Sequence, residues 1–188
     1  MSAHKIYFVS SNKFKVQEAT EILKVSDVTV VPIALKLEEL QTIDSKQLVE
    51  DKALKAFREI GRPLFVEHTG LHLAHLNGMP GGLTQIFWDS LEADRFCELF
   101  GSTSDTAATA ETIIGYVDGR KIRFFYGKVE GSISARPSGD RAFQWDCVFV
   151  PKPYTSTFAE LGPKKNDISM RRIALDEMSK YFVKADSV

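Results

Sequence analysis

The sequence has few cysteines, almost no net charge and no long apolar segment. Its two cysteines, Cys97 and Cys147, form no Cys-x-x-Cys pattern, which disfavours a disulfide scaffold or a zinc ribbon and favours a reducing compartment. The 24 basic and 25 acidic residues give a net charge of −1, which argues against a nucleic acid polymer as partner. The longest apolar stretches are too short for a membrane span or a signal peptide. We therefore expect a cytoplasmic protein with no membrane partner.

The composition is that of an ordinary globular protein. Apolar residues make up 44% of the 188 residues and charged residues 26%, which excludes wholesale disorder. A chain of this length buries roughly 70% of its extended surface in a single core, so its stability requires no disulfide or structural metal. We expect one domain over residues 1–188.

Strand and helix patterns alternate along the first third of the chain. Uninterrupted apolar runs predict strands over residues 6–9, 28–33 and 64–66. Helical spacing predicts helices over residues 13–24 and 45–60, with Phe14 on the apolar face of the first. Farther on, the patterns predict a helix over 89–100, a hairpin of 109–117 and 122–130 around Asp118-Gly119, a strand over 148–150 and a helix over 166–182. The alternating order predicts the α/β class.

Polar residues connect the first strand to the first helix. Helix starts carry unpaired N–H groups and partial positive charge, which favour phosphate, and Lys15 adds a full positive charge. The segment from Ser10 through Asn12 to Lys15 is therefore a candidate phosphate site. A simple helix cap with solvated lysines is the alternative.

Acidic residues follow the next two strands. Glu38 and Glu39 come after the second strand, and Glu67 comes directly after the third. In an open α/β sheet these strand ends face the ligand crevice, where two carboxylates could hold a Mg²⁺ that carries phosphate oxygens. Glu38 and Glu39 could instead be solvent-facing charges.

Three histidines, His68, His72 and His75, suggest a zinc site at first sight. Side chains alternate faces along a strand, so we expect His72 and His75 to point in opposite directions. This disfavours a three-histidine metal site. His68, beside Glu67, remains a candidate functional residue.

Two later segments are candidates for recognition of a nucleotide. In residues 143–146, Phe-Gln-Trp-Asp, an exposed aromatic could stack on a purine while the carboxylate accepts from ring N–H groups. An ordinary core aromatic is the alternative. Residues 164–172 are basic and polar, which is also typical of an ordinary charged helix start.

These segments, in this order, resemble the Ham1 family of inosine triphosphate pyrophosphatases. Residues 10–18 are similar to the family's Thr/Ser-Gly-Asn-x-x-Lys-x-x-Glu, and residues 66–71 and 77–81 to its Asp/Glu-Asp-Ser/Thr-Gly-Leu and Gly-x-Pro-Gly. Residues 143–146 resemble Phe-Gly-Tyr/Trp-Asp. Residues 157–161 and 168–171 resemble the closing Thr-x-Ala-Glu-Leu and Ser-His-Arg. Each motif alone is weak, but the ordered set spans nearly the whole chain and is specific.

The resemblance implies a two-lobed α/β fold with an elongated mixed sheet, a cleft between the lobes and usually a homodimer. It implies hydrolysis of a nucleoside triphosphate to monophosphate and pyrophosphate, with Mg²⁺ as cofactor and Mn²⁺ as an option. The substrates would be non-canonical purine nucleotides such as ITP or XTP, or a shifted substrate.

The resemblance also implies roles for individual residues. Catalytic roles go to Lys15, Glu67 and His68, and metal-binding roles to Glu39, Glu67 and His68. Phe143 would stack on the base, and Arg171 would donate to a 6-keto oxygen, which distinguishes hypoxanthine or xanthine from adenine. The expected substrate-binding residues are Ser10, Asn12, Lys52 or Lys55, Thr69, Phe143, Trp145, Asp146, Lys165, Ser169 and Arg171.

The sequence departs from the family pattern at catalytic and base-reading positions. His68 replaces an acidic residue, Met170 a histidine, Gln144 a glycine and Gln85 a lysine or arginine; Cys147 stands where a proline is usual. Neutral imidazole supplies no negative charge for Mg²⁺, whereas Mn²⁺ tolerates nitrogen ligands better. We therefore expect an altered substrate or metal preference. The alternative is a nucleotide-binding sensor or scaffold that does not hydrolyse.

Overall fold

The computed structural model describes residues 4–185, in which six strands form one mixed sheet. The strands are β1 (His4–Val9), β2 (Val28–Ile33), β3 (Leu64–Leu73), β4 (Ala107–Val117), β5 (Ile122–Ile133) and β6 (Phe149–Pro151). Their order is β2-β1-β3-β4-β5-β6. β1 runs parallel to β2 and β3, and the pairs from β3 to β6 are antiparallel. The predicted α/β class with an elongated mixed sheet is confirmed.

Helices cover both faces of the sheet. They are α1 (Lys13–Leu23), α2 (Ser45–Ile60), α3 (Thr84–Phe100), α4 (Phe158–Leu161), α5 (Lys165–Ile168) and α6 (Met170–Ala185). None of the helices within residues 4–185 is long and apolar enough to cross a membrane.

Alternation along the strands divides the core. Phe8 and Phe65 stack with ring centroids 4.2 Å apart and face α1 and α6. Their neighbours Val9 and Val66 point to the opposite face and pack with α2. A third cluster lies at the far end of the sheet, where α3 packs with β6 and the segment before it. The carboxyl ends of β1, β2 and the middle of β3 therefore lie between the lobe of α1 and α2 and the lobe of α3.

The structure moves several predicted ends of β1, β4, β5 and β6 by a few residues. Three other corrections are larger. The helix predicted over residues 166–182 is two helices, because Ser169 is extended (φ −70°, ψ 155°) and its hydroxyl accepts from the amide of Arg172 as a cap of α6. β3 is longer than residues 64–66 because it pairs with β4 over ten residues. α3 begins at Thr84 and not at Asp89, with a non-helical residue, Glu92, inside it.

α6 lies so close to β5 at Gly127 that a larger residue there should destabilise the fold. A Cβ at Gly127 would lie 1.9 Å from the carbonyl oxygen of Met170 and 2.8 Å from the amide nitrogen of Ala174. We expect Gly127→Ala to lower the free energy of unfolding by about 3 kcal/mol, since α6 must shift. Glu130→Ala, an exposed change on the same strand, is the control and should stay within about 0.5 kcal/mol. Equal urea midpoints for both variants would contradict the tight contact.

Candidate active site

The junction between β1 and α1 is a capped helix start. The Asn12 side-chain oxygen accepts from the amides of Phe14 (3.0 Å) and Lys15 (3.2 Å), and the Asn12 amide donates to the Ser10 hydroxyl (3.2 Å). The cap that sequence analysis left as an alternative is therefore present. Because its oxygen serves the cap, Asn12 can offer only its side-chain NH₂ group to a phosphate.

A buried cluster of four charges ties this junction to β3 and α6. The Nζ of Lys15 lies 3.1 Å from Glu67 Oε1, and Arg171 Nε donates to both oxygens of Glu67 at 3.0 and 3.1 Å. Arg171 Nη1 donates to Glu18 at 2.7 Å. The side chains of Glu67 and Arg171 are only 1% and 2% exposed. We call these four residues, Lys15, Glu18, Glu67 and Arg171, the charge cluster.

The charge cluster sets the protonation of its members. Burial alone would raise the pKa of Glu67, but Arg171 and Lys15 outweigh it and hold the pKa at about 2. Burial lowers the pKa of Lys15 against the attraction of Glu67. Burial alone would also lower the pKa of Arg171, but Glu67 and Glu18 raise it. Glu67 and Arg171 thus remain charged near neutral pH.

Glu39 and Lys52 form a second, more open pair. Lys52 Nζ lies 2.5 Å from Glu39 Oε1. Burial alone would raise the pKa of Glu39, but Lys52 lowers it overall. Lys55 instead contacts Asp51 (2.7 Å) and the carbonyl of Glu38 (2.9 Å). Of the two lysines predicted to reach phosphate, Lys52 lines the cleft. Lys55 does not line it, because its ammonium group is paired with Asp51 and the carbonyl of Glu38.

The cleft holds two adjoining polar cavities of about 370 and 220 Å³. Together we call them the polar cavity. The residues lining both parts are Lys15, Glu39, Lys52, Glu67, Gln85 and Gln144. Ser10 and Asn12 line the larger part, and His68 and Thr69 the smaller part. Most of the predicted phosphate-side and catalytic residues therefore meet in one place.

His68 is an uncharged imidazole in the smaller part of the polar cavity. Burial lowers its pKa to about 4, and nearby Lys15 lowers it further than burial alone would. Its Nε2 is buried, and an interaction of the ring with the backbone of Gly81 opposes the lowering of the pKa. The neighbouring Thr69 hydroxyl donates to Glu67 at 3.0 Å. A neutral imidazole has one unprotonated nitrogen, which can accept a hydrogen bond from a water molecule.

The other histidines lie apart from this cavity. His72 Nε2 is 3.1 Å from Glu111. His75 lies beyond the end of β3, in a turn over Ala74–Leu76. The alternation used to place His72 and His75 on opposite faces therefore does not apply to His75.

The carboxylates fit a metal ion that arrives with phosphate, but not a preassembled metal site. Among residues 4–185, no three His, Cys, Asp or Glu side chains are grouped as metal ligands. Glu67 is held by Lys15 and Arg171, so the ligand set of Glu39, Glu67 and His68 expected from the sequence is not assembled. Mg²⁺ commonly needs only one or two carboxylates besides phosphate oxygens and water. Glu39, partly exposed on the cavity wall, meets that requirement.

A separate cavity of about 290 Å³ lies beyond the first turn of α1. We call it the aromatic cavity; its lining includes Phe14, Phe143, Lys165 and Asn166. Lys165 Nζ lies 4.0 Å from the centroid of the Phe143 ring and 2.5 Å from Asp146. Burial raises the pKa of Asp146 although Lys165 opposes the shift. Trp145 is buried and packs edge-on against Phe149.

The residues around Arg171 have mainly structural contacts. Ser169 is buried as a helix cap, and Met170 is buried in the far core cluster. The Arg171 guanidinium is 6.0 Å from the centroid of Phe143, so it lies near the predicted base site. Two of its nitrogens are engaged by Glu67 and Glu18.

Sequence reasoning missed three features of the site. Glu18 was noted only as a motif position, although its spacing of three from Lys15 places both on one side of α1. Gln144 Nε2 donates to Gln85 Oε1 at 2.6 Å across the polar cavity, and no sequence signal joins residues so distant. Phe14, predicted to face the core, is 68% exposed.

The polar cavity, where Lys15, Lys52, Glu39 and Glu67 meet the start of α1, has the features of a phosphate-binding site in an α/β enzyme. The chain belongs to the Ham1 family, whose family model matches residues 6–181. The predicted family is thereby confirmed.

Relatives and solved structures agree with this assignment. The chain is 33% identical over 186 residues to the dITP/XTP pyrophosphatase of Ignicoccus hospitalis. The alignment covers 96% of this chain and 98% of that protein. It is 35% identical over 180 residues to the inosine triphosphate pyrophosphatase of Yarrowia lipolytica, covering 94% of each. A Ham1 protein from Coxiella burnetii has a TM-score of 0.81 at 25% identity and covers 96% of this chain and 99% of that chain.

From the charge cluster we expect substitutions of two adjacent arginines to differ greatly in their effect on the free energy of unfolding. Arg171→Ala leaves Glu67 buried without its main partner, which should lower the free energy of unfolding by roughly 3–5 kcal/mol. Arg172→Ala removes only a half-exposed pair with Asp176 and should cost about 0.5 kcal/mol or less. Urea denaturation of both variants is the measurement. If Arg171→Ala lowered the free energy of unfolding as little as Arg172→Ala, the charge cluster would not be needed for stability.

Because His68 is neutral in the folded chain, we expect the free energy of unfolding to fall with pH already above the range in which Glu67 titrates. Its folded pKa of about 4 lies below the ordinary 6.5, so the unfolded chain binds more protons between these values. The free energy of unfolding should fall by about 2 kcal/mol between pH 7 and pH 5 on this account. Glu67 does not interfere, because its contribution is lost only as pH falls from 4.5 towards about 2.

The variant His68→Gln should have a shallower dependence on pH over this range than the unmodified chain. The exposed His75, changed to Gln, is the control and should leave the dependence as it is. Urea midpoints at pH 7, 6 and 5 compare the three proteins. The same slope in His68→Gln as in the unmodified chain would refute the assignment.

Proposed function

We propose that this chain hydrolyses a nucleoside triphosphate to the monophosphate and pyrophosphate, with non-canonical purine nucleotides such as ITP, dITP or XTP as substrates. One observation carries the proposal: the polar cavity gathers Lys15, Lys52 and the α1 amino end on one side of the first helical turn, and the aromatic cavity with Phe143 lies on the other. The relatives named as pyrophosphatases favour hydrolysis, and no finding favours the non-hydrolysing alternative.

The polyphosphate binds at the start of α1. The side-chain NH₂ of Asn12, the ammonium groups of Lys15 and Lys52 and the positive end of the helix contact phosphate oxygens. Lys15 is already held by Glu67, which fixes the position of its ammonium group before substrate arrives. Positive charge at this point also stabilises the charge that develops on the leaving pyrophosphate.

Water attacks the α-phosphorus, and the bond from this phosphorus to the bridging oxygen breaks. The oxygen leaves with pyrophosphate, and the water oxygen remains on the monophosphate. The unprotonated ring nitrogen of His68 accepts a hydrogen bond from the attacking water and orients it, and Glu67 and Thr69 line the cavity beside it. This assignment is supported by the lowered pKa of His68 and by its position in the same cavity as Lys15 and Lys52.

A divalent cation, Mg²⁺ or Mn²⁺, is part of the proposal, with Glu39 as its protein ligand. When bound, such an ion neutralises phosphate charge and withdraws electron density from phosphorus. With His68 in place of a carboxylate, the cavity wall supplies less negative charge for the ion. We further propose that the enzyme is a homodimer, as the resemblance implies, and that it is cytoplasmic, as its two unpaired cysteines suggest.

The base lies against Phe143 in the aromatic cavity. Lys165 and Asp146 hold each other beside the ring, and Arg171 lies near it. A donor at this position would favour the 6-keto oxygen of hypoxanthine or xanthine over the 6-amino group of adenine. Two Arg171 nitrogens are engaged and its side chain is only 2% exposed, so this contact requires the wall beside Phe143 to open enough to free the remaining nitrogen.

The direct test is release of pyrophosphate from a panel of purine and pyrimidine triphosphates, with Mg²⁺ and with Mn²⁺. We expect turnover of ITP, dITP or XTP above that of ATP. Absence of turnover for every nucleotide with either metal would refute the proposed function. The variant His68→Asp completes the comparison: a loss of activity supports His68 as the water-orienting group, and a large gain from near zero refutes that role.

Two lysines in one helical turn offer a matched comparison. Lys15→Ala should reduce kcat/KM by a factor of about 100 or more, because it removes a charge that stabilises the leaving pyrophosphate. Lys13→Ala changes an exposed residue of the same turn and should stay within about twofold, since surface charges act weakly. Equal effects of the two variants would contradict the assignment of Lys15. Circular dichroism of both variants confirms that α1 is retained.

A further inference from the structure

Phe14 occupies a position that core packing does not explain. It lies in the first turn of α1, where its amide donates to the Asn12 cap, yet its side chain is 68% exposed and belongs to none of the three core clusters. A large exposed aromatic gains little stability there. Exposed apolar surface beside a cavity more often serves binding.

The Phe14 ring lies against the ring of Phe143. The two centroids are 5.9 Å apart and the planes meet at 88°, an edge-to-face arrangement. Phe14 comes from the lobe of α1, whereas Phe143 precedes the segment that packs in the lobe of α3. The aromatic pair therefore connects the two sides of the cleft.

Neighbouring residues on both segments separate the polar cavity from the aromatic cavity. Phe14 and Phe143 line the aromatic cavity, whereas the next residues, Lys15 and Gln144, line the polar cavity. The chain thus presents an apolar pair to one cavity and a polar pair to the other. A ligand with a charged tail in the polar cavity would place its flat, uncharged end beside the two phenyl rings.

The ammonium of Lys165 limits how a base can meet Phe143. Its Nζ is 4.0 Å from the ring centroid and covers one face of the ring. A base stacks on the remaining face, where a second apolar wall completes its desolvation. Phe14 is the side chain available at that wall.

We propose that Phe14 is a base-binding residue, forming with Phe143 a two-sided aromatic pocket that binds a purine through its π face. This inference rests on the proposed function. Because an aromatic contact does not read hydrogen-bond donors and acceptors, Phe14 raises the affinity for hypoxanthine and xanthine nucleotides alike, while discrimination between bases comes from polar groups such as Arg171.

The test compares Phe14→Ala with Phe14→Tyr and with Val25→Ala. Val25 is an exposed apolar residue of the same lobe that lines neither cavity of the cleft. KM and kcat are measured for ITP and XTP, and the Kd of inorganic tripolyphosphate, which has no base, is measured by calorimetry.

We expect Phe14→Ala to raise KM for both nucleotides on the order of tenfold, as loss of one base–aromatic contact predicts. Its kcat and its Kd for tripolyphosphate should be unchanged, Phe14→Tyr should retain the KM of the unmodified chain, and Val25→Ala should have no effect. An unchanged KM in Phe14→Ala would refute the proposal. A lower KM in Phe14→Ala would also refute it, because it would show that Phe14 covers the Phe143 ring. Loss of tripolyphosphate affinity equal to the loss of nucleotide affinity would refute it as well.

The same experiment separates this inference from the proposed function. If the unmodified chain hydrolyses no nucleotide, the proposed function fails, but calorimetric Kd values of ITP and tripolyphosphate still decide the role of Phe14. In that case a selective loss of ITP affinity in Phe14→Ala supports the aromatic pocket, and equal ITP affinity overturns it.

Discussion

The ion pair between Glu67 and Arg171 determines how the functional parts of the cleft are arranged. Burying two charges costs several kcal/mol each unless they are paired and hydrogen-bonded, and here Lys15 and Glu18 complete the pairing. The four residues come from β3, α6 and α1, and their formal charges sum to zero. The start of α1 cannot move relative to β3 without leaving a buried charge unpaired. The position of Lys15 in the cleft is therefore fixed by the same contacts that hold α6 on the sheet.

The sequence predicts local structure well where caps and periodicity agree. Asp44 caps α2 and Gly61 ends it in a left-handed conformation, so its predicted bounds of 45–60 are correct. The break at Ser169 was missed because apolar spacing continues across it, and the short α4 was missed although Thr157 and Glu160 form a capping box. These errors arise where one local signal competes with a longer pattern.

The site was predictable in its residues but not in their partners. The resemblance indicated Lys15, Glu67, Phe143 and Arg171, yet Arg171 and Glu18 are 153 positions apart and only the fold joins them. Phe14 was assigned to the core because its spacing fits the apolar stripe of α1. A helix start, however, extends beyond the sheet it packs on, so a residue there can match the stripe and still face solvent.

The departures from the family pattern at positions 68 and 85 offset each other in charge. His68 lacks a negative charge and Gln85 lacks a positive one, and both residues line the smaller part of the polar cavity. The other charged residues of that part, Lys15, Lys52, Glu39 and Glu67, balance as two against two. The cavity thus keeps its net charge, and the uncharged side chain of Gln85 accepts a hydrogen bond from Gln144. Attraction of a polyphosphate depends on the summed field, whereas orientation of water depends on individual atoms. Under the proposed function, we therefore expect these two positions to affect the chemical step more than phosphate binding.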